Sequence, residues 1–217
     1  ATATQRPTTA LSPCQQELRC DRILNALGSI DPAKMNDHLV ALTNVGSRDP
    51  RHPGHAKAVT YIKEQLNALA YYGWVITSQR TVYQGIPLEN IFATLPPKGP
   101  TAVPGKGILL NAHYDSTANR TPGWRPAVDP APGADDNATG TAGPLELARV
   151  LSLQRTLNRD GPATSFLNQP ITPAFFDGQH LSLKAGAASR APLPHPSPLP
   201  RVFGSSQSCP HGSSVWR

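Results

Sequence analysis

No run of about 18 or more apolar residues occurs in the chain, so no segment reads as a membrane-spanning helix. No basic, apolar, small-residue leader is visible at the start, which leaves a mature chain after leader removal and a fragment as open readings. Cysteine is scarce. Cys14, Cys20 and Cys209 make an odd number, and the spacing puts Cys14 and Cys20 on different faces if that segment is helical, so a disulfide between them needs a non-helical turn. Free thiols and that disulfide both remain open. Acidic residues are missing altogether after Asp177, where Lys184, Arg190, Arg201 and Arg217 carry four of the six net positive charges. The body is therefore near neutral. With no clustered basic helix and no aromatic platform beside those charges, nucleic-acid binding is a poor inference, and none is expected.

What is present suits one domain: 217 residues suffice to bury a sizeable core. Residues 1–13 are rich in Thr, Pro and Ala, and residues 190–217 in Pro and Ser. The expected organisation is an N-terminal arm with a short helix over 1–29, an α/β domain over 30–189 and a disordered tail over 190–217. Asp31-Pro32 has the form of an N-cap followed by proline at the first helical position, and Met35, Leu39, Leu42 and Val45 recur at helical spacing behind it. A loop over 46–54 follows, in which His52 and His55 read as loop and cap residues beside Pro53 and Gly54. Val59, Ile62, Leu66 and Leu69 mark a second helix ending near Gly73. From Trp74 the residues become β-branched and aromatic, predicting a hairpin with its turn at Gln84–Pro87. The order helix, helix, hairpin, strand, helix, strand implies a mixed sheet with helices on both faces.

The informative stretch runs from Gly107 to Gly140. Ile108, Leu109 and Leu110 read as a buried strand that delivers His113 to its C-terminal end, where open α/β sheets bind ligands. Asp135 and Asp136 follow in APGADDNATG, just before a helical pattern at Leu145, Leu147, Ala148, Val150 and Leu151. Imidazole and carboxylate are first-row metal ligands, and one carboxylate can bridge two ions. A hydrolytic metal site is the natural reading. Trp124 and Arg125, in the proline-rich insert between these motifs, could line a substrate pocket or pack on the surface. The Asn119 and Asn137 glycosylation patterns are set aside, Asn137 because it adjoins the proposed metals.

His113-Tyr-Asp115-Ser116 together with Ala131-Pro-Gly-Ala-Asp135-Asp136-Asn-Ala-Thr-Gly140 resembles the co-catalytic zinc aminopeptidases, the leucyl aminopeptidase and aminopeptidase Y type of peptidase family M28. The resemblance covers Ile30 to Phe176 and implies a three-layer α/β/α zinc-exopeptidase-like fold with a mixed sheet, incomplete at the C-terminal end. It implies zinc as cofactor, two ions in the family, with His113 a ligand, Asp115 orienting it from behind, Asp135 bridging and Asp136 shaping the turn. It further implies peptide or protein N-termini as substrates and a secreted or periplasmic setting. The Asp135-Asp136 pair separates the chain from the glutaminyl cyclases of the same clan.

Two departures qualify this. Pro144 cannot donate within a helix, which predicts a helix beginning at Pro144 and an Asp135 turn held less firmly. After Ile171–Asp177, where the family has a general-base glutamate and then a glutamate ligand, the chain has Gln179 and His180. Gln179 cannot take a proton at neutral pH, whereas His180 can still bind a metal. His195 and His211 stand in proline- and serine-rich surroundings with no element to fix them, and past Arg190 the resemblance ends. The expectation is a zinc aminopeptidase-type hydrolase with impaired catalysis, the alternatives being a non-catalytic zinc-binding domain and a truncated fragment.

Overall fold

The computed structural model describes residues 21, 23–97, 107–157 and 169–181. The three cysteines, His195, His211, the arm over 1–13 and the tail over 190–217 lie outside the described residues.

Residues 23–28 are helical, within the stretch where a short helix was expected. Helix α1 (Pro32–Thr43) starts as its sequence dictates: Asp31 is extended and its carboxylate accepts from Ala33 N at 2.9 Å, with Pro32 in the first turn, where no amide is needed. Helix α2 (Pro53–Asn67) uses His52 in the same way, its Nδ1 accepting from Gly54 N at 2.9 Å. Gly54 is there for space. A Cβ on it would stand 2.3 Å from Val45 O and 2.4 Å from Ser47 O, so the preceding loop packs directly against the helix start. A short 3-10 turn (Ala70–Tyr72) ends at Gly73, whose φ of 91° lies in the left-handed region.

Strands β1 (Val75–Tyr83) and β2 (Ile86–Thr94) form the expected hairpin. Its turn is tighter than the sequence suggested. Only Gln84 and Gly85 make it, with φ of 50° and 81°, and Ile86 and Pro87 already pair with Tyr83 and Val82. Two successive left-handed residues match the twist of the flanking strands. Strand β3 (Ile108–His113), helix α3 (Thr139–Leu157) and strand β4 (Ile171–Phe176) complete the described elements. The sheet order is β1-β2-β4-β3, with β2 and β4 antiparallel and β3 and β4 parallel. This is a mixed sheet with flanking helices.

Helices α1, α2 and α3 feed one apolar cluster. Leu42 comes from α1, Ala58, Ile62 and Leu66 from α2, and Leu145, Ala148 and Leu151 from α3; they meet Ile91, Ala93, Leu95, Ile171 and Phe175 of the sheet and its border. Burying each of the larger side chains contributes about 1.5–3 kcal/mol. Trp74 also buries its ring here and donates Nε1 to Ser152 Oγ at 2.8 Å.

Helix α3 corrects one expectation: it begins at Thr139, so Pro144 lies inside it. Side chains hold the early turn that the proline weakens. Asn137 Oδ1 accepts from Gly140 N at 3.1 Å, and Thr141 Oγ1 donates to Asn137 O at 3.0 Å or His113 O at 3.1 Å.

Candidate metal centre

Parallel pairing of β3 with β4 in the register His113↔Phe176 brings the C-terminal ends of both strands to one edge. His113 closes β3, and Asp177-Gly-Gln-His180 continues from β4. The Ala134–Ala138 turn supplies the third component. Within it Asp136 and Asn137 leave helical geometry, with φ of −116° and −137°, and the Asp136–Asn137 peptide is cis.

Three ligand atoms converge there. One oxygen or nitrogen each from His113, Asp136 and His180 lies within 4.8 Å of the others. Asp136 Oδ1 stands 3.1 Å from His113 Nε2 and 3.7 Å from His180 Nε2, and the two imidazoles meet edge to face with centroids 5.0 Å apart. Beneath them Asp115 is fully buried. Its Oδ2 accepts from His180 N at 2.9 Å, and its Oδ1 lies 3.3 Å from His113 Nδ1. His113 Nδ1 also meets the main-chain O of Asp115 at 3.3 Å, so Asp115 holds the His113 proton on Nδ1, leaves the Nε2 lone pair toward Asp136 and ties down the main chain at His180. Burial works against a charged His113, but the bond to Asp115 and the charges of Asp115 and Asp136 outweigh it and raise its pKa above the ordinary histidine value.

The donor set fits zinc, which takes imidazole nitrogen and carboxylate oxygen. His180 Nε2 is buried without a hydrogen-bond partner, as a nitrogen kept for a metal would be. Of the residues singled out from sequence, the structure brings His113, Asp115, Asp136 and His180 together. Asp135 and Asp136 are both exposed, and of the two it is Asp136 that belongs to the three-ligand group and faces the imidazoles. Gln179 is exposed on the turn after β4. Trp124 and Arg125 are tied to the insert itself: Arg125 pairs with Asp129 at 2.8 Å, and Trp124 Nε1 donates to Asp129 O at 3.3 Å.

Sequence reasoning missed two supports. His55, read as a cap residue, is buried with its Nε2 3.0 Å from both oxygens of Asp177, and it stacks on Tyr114. Asp177 also accepts from Glu89 N at 2.9 Å, which anchors the turn bearing His180. Arg48 is the second. It is fully buried, and burial lowers its pKa to about 10 against the raising charges of Asp115 and Asp136. No local sequence signal identifies either residue, because their partners lie far away along the chain.

Residues 90–161 match the model of Peptidase family M28. The chain is 39% identical to the Uncharacterized protein YfbL of Escherichia coli over 45% of this chain and 27% of that protein. It is 29% identical to a Probable zinc metalloprotease of Pyricularia oryzae over 60% of this chain and 28% of that one. It is also 29% identical to Leucine aminopeptidase 1 of Phaeosphaeria nodorum, over 59% and 31%. The matched part therefore spans only about 27–31% of the length of these relatives. Two solved structures share the fold: LapB of Legionella pneumophila (24% identity, TM-score 0.52, 73% of this chain and 38% of that one) and glutaminyl cyclase of Porphyromonas gingivalis (21%, 0.52, 69% and 48%). With its motifs and its mixed sheet, the matched part of this chain is similar to Peptidase family M28 and to the zinc metalloprotease and leucine aminopeptidase relatives it matches.

Proposed function

We propose that the chain is a zinc-dependent hydrolase of aminopeptidase type, acting on the free N-termini of peptides or proteins in an extracytoplasmic setting, with catalysis impaired. The observation that carries this reading is the meeting of His113, Asp136 and His180 above the buried Asp115. In this reading His113 and His180 offer Nε2, Asp136 offers Oδ1, and Asp115 keeps the proton of His113 on Nδ1. Asp136 takes the ligand role that the sequence suggested for Asp135. Bound zinc would supply Lewis acidity, polarising the scissile carbonyl and activating water. His180 replaces a carboxylate ligand with an imidazole and keeps a donor at that point. Gln179 offers an amide where a base is needed, and losing general-base catalysis costs about a hundredfold to ten-thousandfold in rate. The Asp135-Asp136 pair favours a peptidase over a glutaminyl cyclase.

Elemental analysis of dialysed protein, combined with aminoacyl-anilide hydrolysis, tests this. Zinc is expected to be retained in the wild type and in Asp135→Ala but lost in Asp136→Ala. Anilide cleavage is expected to be slow, abolished by a chelator and raised about a hundredfold or more by Gln179→Glu. Retention of zinc by Asp136→Ala would sink the ligand assignment. Zinc binding with no turnover, even in Gln179→Glu, would favour the second reading, a non-catalytic zinc-binding domain, to which the missing base already points.

A further inference from the structure

Arg48 sits in the loop between α1 and α2 and is 0% exposed, with no carboxylate in hydrogen-bond contact. Every bond from its guanidinium goes to a main-chain carbonyl. Nε donates to Tyr114 O at 2.6 Å, Nη1 to Leu42 O at 3.1 Å and to Pro132 O, and Nη2 to Gly133 O at 2.9 Å. Its own amide donates to Ser116 Oγ at 2.9 Å, and that hydroxyl in turn donates to Ala131 O at 2.6 Å. The partners belong to three segments: the end of α1, the stretch just after β3 and the turn just before Asp136. Two of these carry the proposed ligands and their support, His113 with Asp115 on one side and Asp136 on the other.

A cation without a carboxylate partner is costly to bury, and packing alone would be served as well by an apolar side chain. What the guanidinium adds is a rigid planar fork whose several donors fix the relative position of segments that share no ladder. We propose that Arg48 is a positioning residue of the metal centre, clamping the Tyr114–Ser116 stretch to the Pro132–Gly133 turn so that Asp136 is held against His113. Lysine cannot replace it, because an ammonium has one nitrogen and cannot span carbonyls on three segments. This inference rests on the metal-centre reading above.

The test is zinc affinity of the full chain, measured by competition with a chromogenic chelator, together with the visible absorption of the cobalt(II) form. Arg48→Lys is expected to lose about tenfold to hundredfold in affinity, the usual effect of removing support behind a ligand, and to change the cobalt spectrum. Arg149→Lys is the control. Arg149 also clamps main chain to side chain, donating to Ser29 O at 2.7 Å and to Glu146, but it touches none of the site residues. It is expected to lower the unfolding midpoint while leaving affinity and spectrum unchanged. Should Arg48→Lys fail to fold, Ser116→Ala removes the hydroxyl that accepts from Arg48 N and donates to Ala131 O, leaves the guanidinium in place, and is expected to lower affinity in the same direction. Wild-type affinity in the folded Arg48→Lys protein, or in Ser116→Ala where it is needed, overturns the clamp. An equal loss in Arg149→Lys overturns it too. A wild-type chain that binds no zinc overturns the metal centre and the clamp together, and is thereby distinguishable from failure of the clamp alone.

Discussion

A methyl group at Gly133 would stand 2.4 Å from Asp136 O and 2.8 Å from Ser116 Cβ, on a backbone whose φ is 50°. The left-handed conformation alone costs an L-residue about 1–2 kcal/mol, and the contacts add to it. Gly133→Ala is therefore expected to destabilise the fold by about 2 kcal/mol or more and to weaken zinc binding, because the carbonyl that must move belongs to Asp136. Chemical denaturation and zinc stoichiometry on the same preparation check both effects; unchanged values would show that the turn relaxes freely. Residue scale is also where the sequence was least sufficient. Asp135 and Asp136 are adjacent and chemically identical, and which of them faces His113 is decided by the non-helical φ and ψ of Asp136, which spacing does not encode. The strand-end His113 and the Asp115 behind it were legible because a strand places residues with period two. His55 and Arg48 were not, since their roles depend on Asp177 and on carbonyls distant in the chain.

At the scale of elements, α1 and α2 meet through His38 and Tyr61, whose Nδ1 and hydroxyl lie 2.7 Å apart. Burial lowers the pKa of His38 below the ordinary value of 6.5, against the raising influence of Glu146 and Asp37. A lowered folded pKa means that the unfolded chain takes up the proton first. The stability associated with neutral His38 is therefore complete above about pH 6.5 and is lost as pH falls from there through the lowered folded value. In His38→Gln that part of the acid sensitivity should vanish, so unfolding midpoints of the two proteins, measured from neutral pH downward, should converge. Parallel pH curves would refute this. Caps and hairpin were readable here, because Asp31-Pro32 and the β-branched run from Trp74 act locally. Pro144 misled for the converse reason. A local helix breaker is tolerated where side chains of Asn137 and Thr141 hold the first turn.

Across the whole molecule, the site occupies the carboxyl ends of β3 and β4, the one parallel pair in the described sheet. His113 therefore stands on the last strand in the order β1-β2-β4-β3, where Ile108 and Leu109, expected from their apolar run to be buried, are 47% and 44% exposed. The α/β class and this placement could be read from the order of elements together with the rule that open sheets bind ligands at strand ends. The sheet order could not, because it depends on non-local pairing. One-sided pairing has a consequence for isotope exchange. Ile108 N and Tyr114 N donate to Pro170 O and Phe176 O at 2.8 and 2.9 Å, so by the two-residue alternation of a strand the amides of Leu109, Asn111 and His113 point away from β4. Deuterium should enter those three positions quickly and the intervening Leu110 and Ala112 slowly, an odd–even pattern resolved amide by amide in NMR spectra. Uniformly slow exchange would reveal a further strand or a second chain along that edge, and the histidine that begins the metal site would then stand inside a continuous sheet.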